Sequence, residues 1–521
     1  MPLQLRLWGP ESYSLIGSVT SVGAGANTGT VPSKTLRETA LALSGIGSRD
    51  LYGVDLSLRR EATVADLMRR EHAVKEALNR TLAQIVEASS VEFIVGDAHF
   101  EDAQTIGVRS GATSRLVSAH RTLISTGSSP YRPAGFPFDR PGIYDSDTIL
   151  ELNTIPQSLA VVGAGAVGSE YASTFAALGT KVHLIDSRDV LLPFLDSEVS
   201  AALTRAIRRS GIEMHCGERV VDCSCADREI TLNLQSGCVV RTEAVLVAAG
   251  RRSNTECLNL DAAGLAPGDR GDLKVDEHYR TAVPHVYAAG DVIGLPGLAS
   301  TGMQQARRAM SVAFGGAGVP PTRDILPSAV YTIPEVAMAG DTEEAVHATG
   351  VDYVIGRARY ADNPRGCIIG EKEGFLKLIF RREDLKLLGV HAIGELASEL
   401  VHIGLIAMTA GCDATVFGEL SFNVPTLGAL YQDATWRLIN ERRRAVAERL
   451  RKDRGARRGR NLHSSVDDER LGFRRQVRAN VSGIWSARRG ARLDVRDPMS
   501  SHFAQTRQAG RHRVSVLESI A

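Results

Sequence analysis

Gly163-Ala164-Gly165-Ala166-Val167-Gly168 is the segment whose residue types and spacing carry the most chemistry in this chain. It follows a short apolar run at 159–162 and precedes Ser169-Glu170-Tyr171-Ala172, which reads as the opening of a helix. A second apolar run at 182–185 ends in Asp186, 23 positions after Gly163. Strand, G-x-G-x-x-G, helix, strand and acid together make a complete dinucleotide-binding unit. Gly163, Gly165 and Gly168 let the backbone approach a pyrophosphate seated on the helix N-terminus. Asp186 is expected to accept hydrogen bonds from the adenosine ribose hydroxyls, which favours NAD. Arg188 lies two residues on, offsets the repulsion of a 2′-phosphate and so admits NADP. The seven cysteines are scattered and read as free thiols, with Cys223-Ser224-Cys225 too tight for a C-x2-C metal pair. The 13 histidines show no H-E-x-x-H or similar spacing, so no metal site is expected.

The elements that must position these residues belong to a large globular chain. Its 521 residues exceed one core, so two to four domains are expected. The 43% hydrophobic content is ordinary for a globular protein. No apolar run reaches the roughly 18 residues of a membrane span, and the N-terminus lacks a signal-peptide pattern, so a cytoplasmic location without membrane partners is expected. The net charge of +1 hides an asymmetry: 21 Arg and Lys against 9 Asp and Glu lie in 441–521, leaving 40 basic and 51 acidic residues in 1–440. This arginine-rich tail reads as a solvated, disordered extension, and nucleic acid is not expected as a partner. Leu67, Val74, Leu78, Leu82 and Ile85 recur at helical spacing and predict an amphipathic helix.

A second set of segments carries a resemblance. Gly25-Ala26-Asn27-Thr28-Gly29-Thr30-Val31-Pro32-Ser33-Lys34 resembles C-x-N-x-G-C-x-P-S-K, the redox-active segment of the flavoprotein disulfide reductases, with Gly25 and Thr30 at the cysteine positions. Thr281 to Asp291 resembles their T-x5-Y-A-x-G-D motif, which holds a flavin through Gly290 and Asp291. Thr126-Gly127-Ser128-Ser129-Pro130 and Gly250-Arg251-Arg252-Ser253-Asn254 resemble the two crossings that join the nucleotide domains. Phe422-Asn423-Val424-Pro425-Thr426 stands where the reductases read H-P-T-x-x-E, so Val424 and Ala429 replace an acid/base histidine and its glutamate. From about Asn27 to about Asn440 the chain is similar to the class-I pyridine nucleotide-disulfide oxidoreductases, and within them to the soluble transhydrogenase branch.

The resemblance implies an α/β fold of two Rossmann-like nucleotide-binding domains, for FAD and NAD(P), plus a C-terminal α+β dimerisation domain. The expected layout is an atypical N-terminus 1–26, an FAD-binding domain 27–150 with its first strand–helix unit missing, an NAD(P)-binding domain 151–275, a second FAD-binding part 276–325, an interface domain 326–440 and the basic tail 441–521. It implies FAD, NAD and NADP as cofactors, nicotinamide nucleotides as substrates, and a homodimer or higher homo-oligomer. It places Thr30, Ser33, Lys34, Thr126, Gly127, Gly250, Arg251, Gly290 and Asp291 at the cofactors, with Lys34 and Glu170 as the catalytic pair beside flavin N5. Tyr171 is either a cover for the nicotinamide or a half-buried helix residue, and His402 an interface or core histidine. The activity implied is FAD-dependent hydride transfer between NADPH and NAD+ without a redox disulfide. The alternatives are a dihydrolipoyl dehydrogenase-like flavoprotein, or an inactive NAD-binding remnant. The last arises because no G-x-G-x-x-G, helix and ribose acid precede Asn27, so FAD binding is expected to be weak or absent.

Overall fold

The computed structural model describes residues 14–17, 24–44, 64–89, 91–226, 229–315 and 325–440. The readings made of the basic tail fall outside them.

The dinucleotide unit forms as its pattern predicts. Strand β9 (Ser158–Val162), helix α3 (Ala166–Ala177) and strand β10 (Lys181–Asp186) run in sequence, and β9 pairs β10 in parallel. They belong to a five-stranded sheet that also takes β8 (Ile143–Tyr144), β11 (Glu213–Cys216) and β15 (Ala244–Val247), in the order β11-β10-β9-β15-β8. Leu159, Ala160 and Val161 are fully buried, and so are Val245 and Leu246. Central parallel strands are covered on both faces, which is why these runs read as continuously apolar. One cover is α3 with helix α4 (Ser197–Arg209): Ala172, Phe175, Leu203 and Ile207 close the core over Leu159 and Leu184. The edge strand β8 comes from 143–144, ahead of the domain boundary read at residue 150.

The flavin-side region is built from smaller pieces. Strand β1 (Ser14–Gly17) pairs in parallel with β2 (Glu92–Val95), inside the stretch read as an atypical N-terminus. Strand β6 (Thr122–Ile124) pairs in parallel with β17 (Val286–Ala288), so the chain returns to this region after the nucleotide unit. Among the described residues these are two separate two-stranded sheets, not one continuous one. Helix α1 (Thr30–Ser44) packs beside α2 (Val64–Ala88), the predicted amphipathic helix, whose Val74, Leu78, Leu82 and Ile85 form a half-buried stripe. The side chain of Leu67 is not among those described. Strand β7 (Ser128–Pro130) pairs antiparallel with β16 (Arg251–Ser253), bringing the two glycine crossings together.

Residues 325–440 form an antiparallel sheet, β18 (Ser328–Val330), β19 (Val336–Gly340), β20 (Tyr353–Arg359), β21 (Phe375–Arg381) and β22 (Leu387–Ile393), in the order β18-β19-β22-β21-β20. Helix α5 (Ala397–Thr409) packs on it, burying Leu400 and Val401 against Val390. A buried ion pair ties this sheet to the nucleotide unit: Lys377 of β21 donates to both oxygens of Asp196 at 2.8 and 2.9 Å, and Asp196 also caps α4 by accepting from the Glu198 amide at 3.1 Å. No helix is long and apolar enough to cross a membrane among the described residues.

Candidate functional site

The glycine turn between β9 and α3 separates structural from open positions. Gly163 has φ +103°, and a Cβ there would strike the Ala248 carbonyl. A Cβ on Gly168 would strike the Gly163 carbonyl, so the helix can approach the strand only through glycine at both places. Gly165 differs: its φ is −72° and a Cβ built on it meets nothing within 4 Å. No side chain caps α3, so its first amides face the open space over Gly165. That is the geometry a pyrophosphate needs.

Asp186 stands at the end of β10 and reaches back to this turn. Its carboxylate accepts from the Ala164 amide at 2.5 Å, from the Arg188 amide at 2.8 Å, and from Arg188 Nε and Nη2 at 2.8 and 2.7 Å. Burial pushes its pKa up, but the Arg188 guanidinium and the two amides outweigh this and hold it below the usual carboxylate value. Asp186 is therefore anionic at neutral pH, and Arg188, nearly half exposed, lies against it.

Lys34 and Glu170 meet across three elements. Lys34 projects from α1 and Glu170 from α3, and Nζ donates to Glu170 Oε2 at 2.6 Å. Glu170 Oε1 accepts from the Tyr331 amide at 2.9 Å, so both carboxylate oxygens are held. Lys34 Nζ also donates to Ser33 Oγ at 3.3 Å and lies 5.0 Å from the centre of the Tyr331 ring. The Glu170 side chain is 10% exposed and that of Lys34 25%, which leaves a fixed cation at the edge of a buried carboxylate. Thr30 begins α1 and is exposed, with Ser33 Oγ donating to its carbonyl at 3.3 Å. Tyr331 is a member of this cluster that the sequence reading did not assign. Its contribution is partly a backbone amide, which no side-chain type announces. Tyr171, in contrast, is a core residue: it is 3% exposed and stacks on Phe175.

The two crossings and the Gly290-Asp291 turn converge. Thr126 Oγ1 donates to the Asn254 carbonyl at 2.7 Å, and the Asn254 amide donates to the Gly127 carbonyl at 2.9 Å. Ser128 Oγ donates to Asp291 Oδ2 at 2.8 Å and accepts from Arg251 Nε at 2.7 Å. Arg251 also donates to the Ser128 carbonyl, so its guanidinium ties β16 to β7. Gly290 and Gly250 have φ of +80° and +111°, values that favour glycine. The Gly290 amide donates to Gln305 Oε1 at 2.8 Å.

These residues fit the ring end of a flavin: a fixed ammonium at Lys34, and at Gly127 a Cβ direction with nothing within 4 Å. Among the described residues, the G-x-G-x-x-G turn at 163–168 is the one turn of that pattern. Val424 is exposed and Ala429 buried, and neither can transfer a proton. His402 is exposed on α5, not in the core.

Known proteins match this arrangement. The profile of the pyridine nucleotide-disulphide oxidoreductase family matches residues 14–310, and that of the family's dimerisation domain matches residues 326–434. The soluble pyridine nucleotide transhydrogenase of Mycobacterium tuberculosis is 41% identical over 427 residues, 81% of this chain and 90% of that protein. Its namesake in Photobacterium profundum is 38% identical over 434 residues, 82% of this chain and 92% of that protein. Among solved structures, LpdA from Mycobacterium tuberculosis has a TM-score of 0.78 at 24% identity, covering 84% of this chain and 96% of that one. The HOCl-induced flavoprotein disulfide reductase RclA from Escherichia coli has a TM-score of 0.73 at 23% identity, covering 81% of this chain and 93% of that one.

Proposed function

This chain belongs to the pyridine nucleotide-disulphide oxidoreductase family, and we infer from that premise that it is a flavin-dependent pyridine nucleotide transhydrogenase. The reaction is hydride transfer from NADPH to NAD+. The observation that carries the reading is the Lys34–Glu170 pair at 2.6 Å in a segment whose two cysteine positions are Gly25 and Thr30. The family's machinery for a hydride is kept and its machinery for a disulfide is absent from that segment.

FAD, when bound, supplies the hydride acceptor and donor. The chain's residues supply position and charge. Lys34 presents a fixed ammonium to the negative charge that develops on a reduced ring, and Glu170, locked by the Tyr331 amide, keeps it there. Gly165 and the open N-terminus of α3 hold the nicotinamide nucleotide's pyrophosphate. Asp186 accepts from the ribose hydroxyls of NAD, and Arg188 swings from Asp186 to meet the 2′-phosphate of NADP, so one site serves both nucleotides in turn. Thr126, Gly127, Gly290 and Asp291 shape the flavin side of the junction. The matched dimerisation domain supports a homodimer.

Purified protein supplied with FAD tests this. NADPH-dependent reduction of thio-NAD+, with no activity toward dihydrolipoamide, is the expected result. Turnover of dihydrolipoamide, or binding of NAD without any transhydrogenation, would overturn it.

A further inference from the structure

A cluster outside the catalytic region has the make-up of a cation site. His183 lies on β10, and Glu213 and His215 on the edge strand β11. The two strands are parallel with His183 opposite Glu213 and Ile185 opposite His215. Side chains alternate along a strand, so residues 183, 213 and 215 share one face of the sheet. Their ligating atoms all lie within 4.8 Å of one another.

We propose that His183, Glu213 and His215 form a binding site for a divalent transition-metal ion of the zinc class. His183 Nδ1 lies 3.3 Å from His215 Nε2 and 3.2 Å from Glu213 Oε2. Zinc–nitrogen and zinc–oxygen bonds of about 2.0–2.1 Å in a tetrahedron put neighbouring ligand atoms roughly 3.4 Å apart, so these separations are close to the edges of such a polyhedron. One ring nitrogen, His183 Nδ1, faces both a carboxylate oxygen and a second imidazole nitrogen. A metal ion satisfies all three groups. Lys181 donates to the other carboxylate oxygen, Oε1, at 3.1 Å, which leaves Oε2 to act as a single ligand. Glu213 is exposed and His215 half-buried, so an ion can enter from solvent and keep a water in its fourth position. Two imidazoles and one carboxylate select zinc, copper, nickel or cobalt over calcium or magnesium. The sequence conceals the site because His183 and Glu213 are separated by a helix and only strand pairing joins them.

The test uses the full chain after treatment with EDTA, titrated with Zn2+ by calorimetry and with Co2+ by visible absorption. The expected result is a single equivalent of Zn2+, and a tetrahedral Co2+ band without thiolate charge transfer. Glu213→Gln, at an exposed position that leaves the fold intact, weakens Zn2+ binding by about tenfold or more, and H183Q with H215Q together abolishes it. Unchanged binding in E213Q and in the double variant, thiolate charge transfer from a cysteine site, or no uptake by the wild-type chain would each overturn the proposal.

Discussion

Lys34 and Glu170 are 136 residues apart in the chain and form the shortest ion pair of the site. If this ammonium stabilises charge on the reduced flavin, Lys34→Met should lower the rate of hydride transfer by about 100-fold while leaving nicotinamide nucleotide affinity unchanged. Stopped-flow reduction by NADPH would show it, and an unchanged rate would remove Lys34 from the catalytic account. Arg188 offers a second test. Arg188→Ala should raise the Kd for NADPH by roughly tenfold, about 1.4 kcal/mol, and leave that for NADH nearly unchanged. Asp186 stays ionised throughout the neutral range, because its folded pKa lies below the ordinary carboxylate value, so NADH affinity should not titrate between about pH 6 and 8. Both pairs were legible in the sequence, since the Pro-Ser-Lys phrase and the acid after the second strand carry their spacing with them. Tyr331 was not, and neither was the burial of Tyr171: helical spacing alone does not say which face of α3 meets the core.

At the scale of elements, the glycine turn makes a sharp distinction. Gly168→Ala places a Cβ against the Gly163 carbonyl and should destabilise the nucleotide unit by about 1–3 kcal/mol. Gly165→Ala has room and an ordinary φ, so it should melt like wild type yet bind both nucleotides poorly, because its methyl enters the pyrophosphate space. Thermal melts with and without NADH would separate the two. The Asp196–Lys377 pair that joins α4 to β21 is fully buried on both sides. Lys377→Met strands the carboxylate and should cost about 3–5 kcal/mol. Burial raises the Asp196 pKa, but the Lys377 ammonium outweighs it and the net shift is downward from 3.8. Its stabilisation is therefore complete above the ordinary carboxylate range and lost as pH falls through the lower folded value. Acid melts should show stability falling below about pH 4, with part of that slope gone in Asp196→Asn. Strands β9 and β10 were readable as apolar runs. The two-residue strand β8 has too few residues to show any period, so it was not legible.

Across the whole molecule, the dinucleotide unit at 158–186 was legible from its glycine turn and flanking apolar runs, while the second nucleotide domain and the interface domain came from the family resemblance of other segments. Long-range juxtaposition was not legible: the His183–Glu213–His215 cluster exists only because β11 lies beside β10. Within 325–440, Leu396, Ile406, Leu420, Val424 and Trp436 are exposed apolar side chains, Ile406 at 67%. A homodimer would cover such surface, so Ile406→Asp should shift sedimentation from dimer toward monomer. The flavin-side region stands as two separate parallel strand pairs among the described residues, while Lys34 and Glu170 are paired. The claim that these parts add up to a flavin-dependent hydride relay is tested most directly by the visible spectrum of the purified full-length protein, reconstituted with FAD under argon. An oxidised flavin spectrum that bleaches on addition of NADPH and returns on addition of NAD+ is the predicted result. No flavin band after reconstitution, or a band that NADPH leaves unchanged, would contradict it.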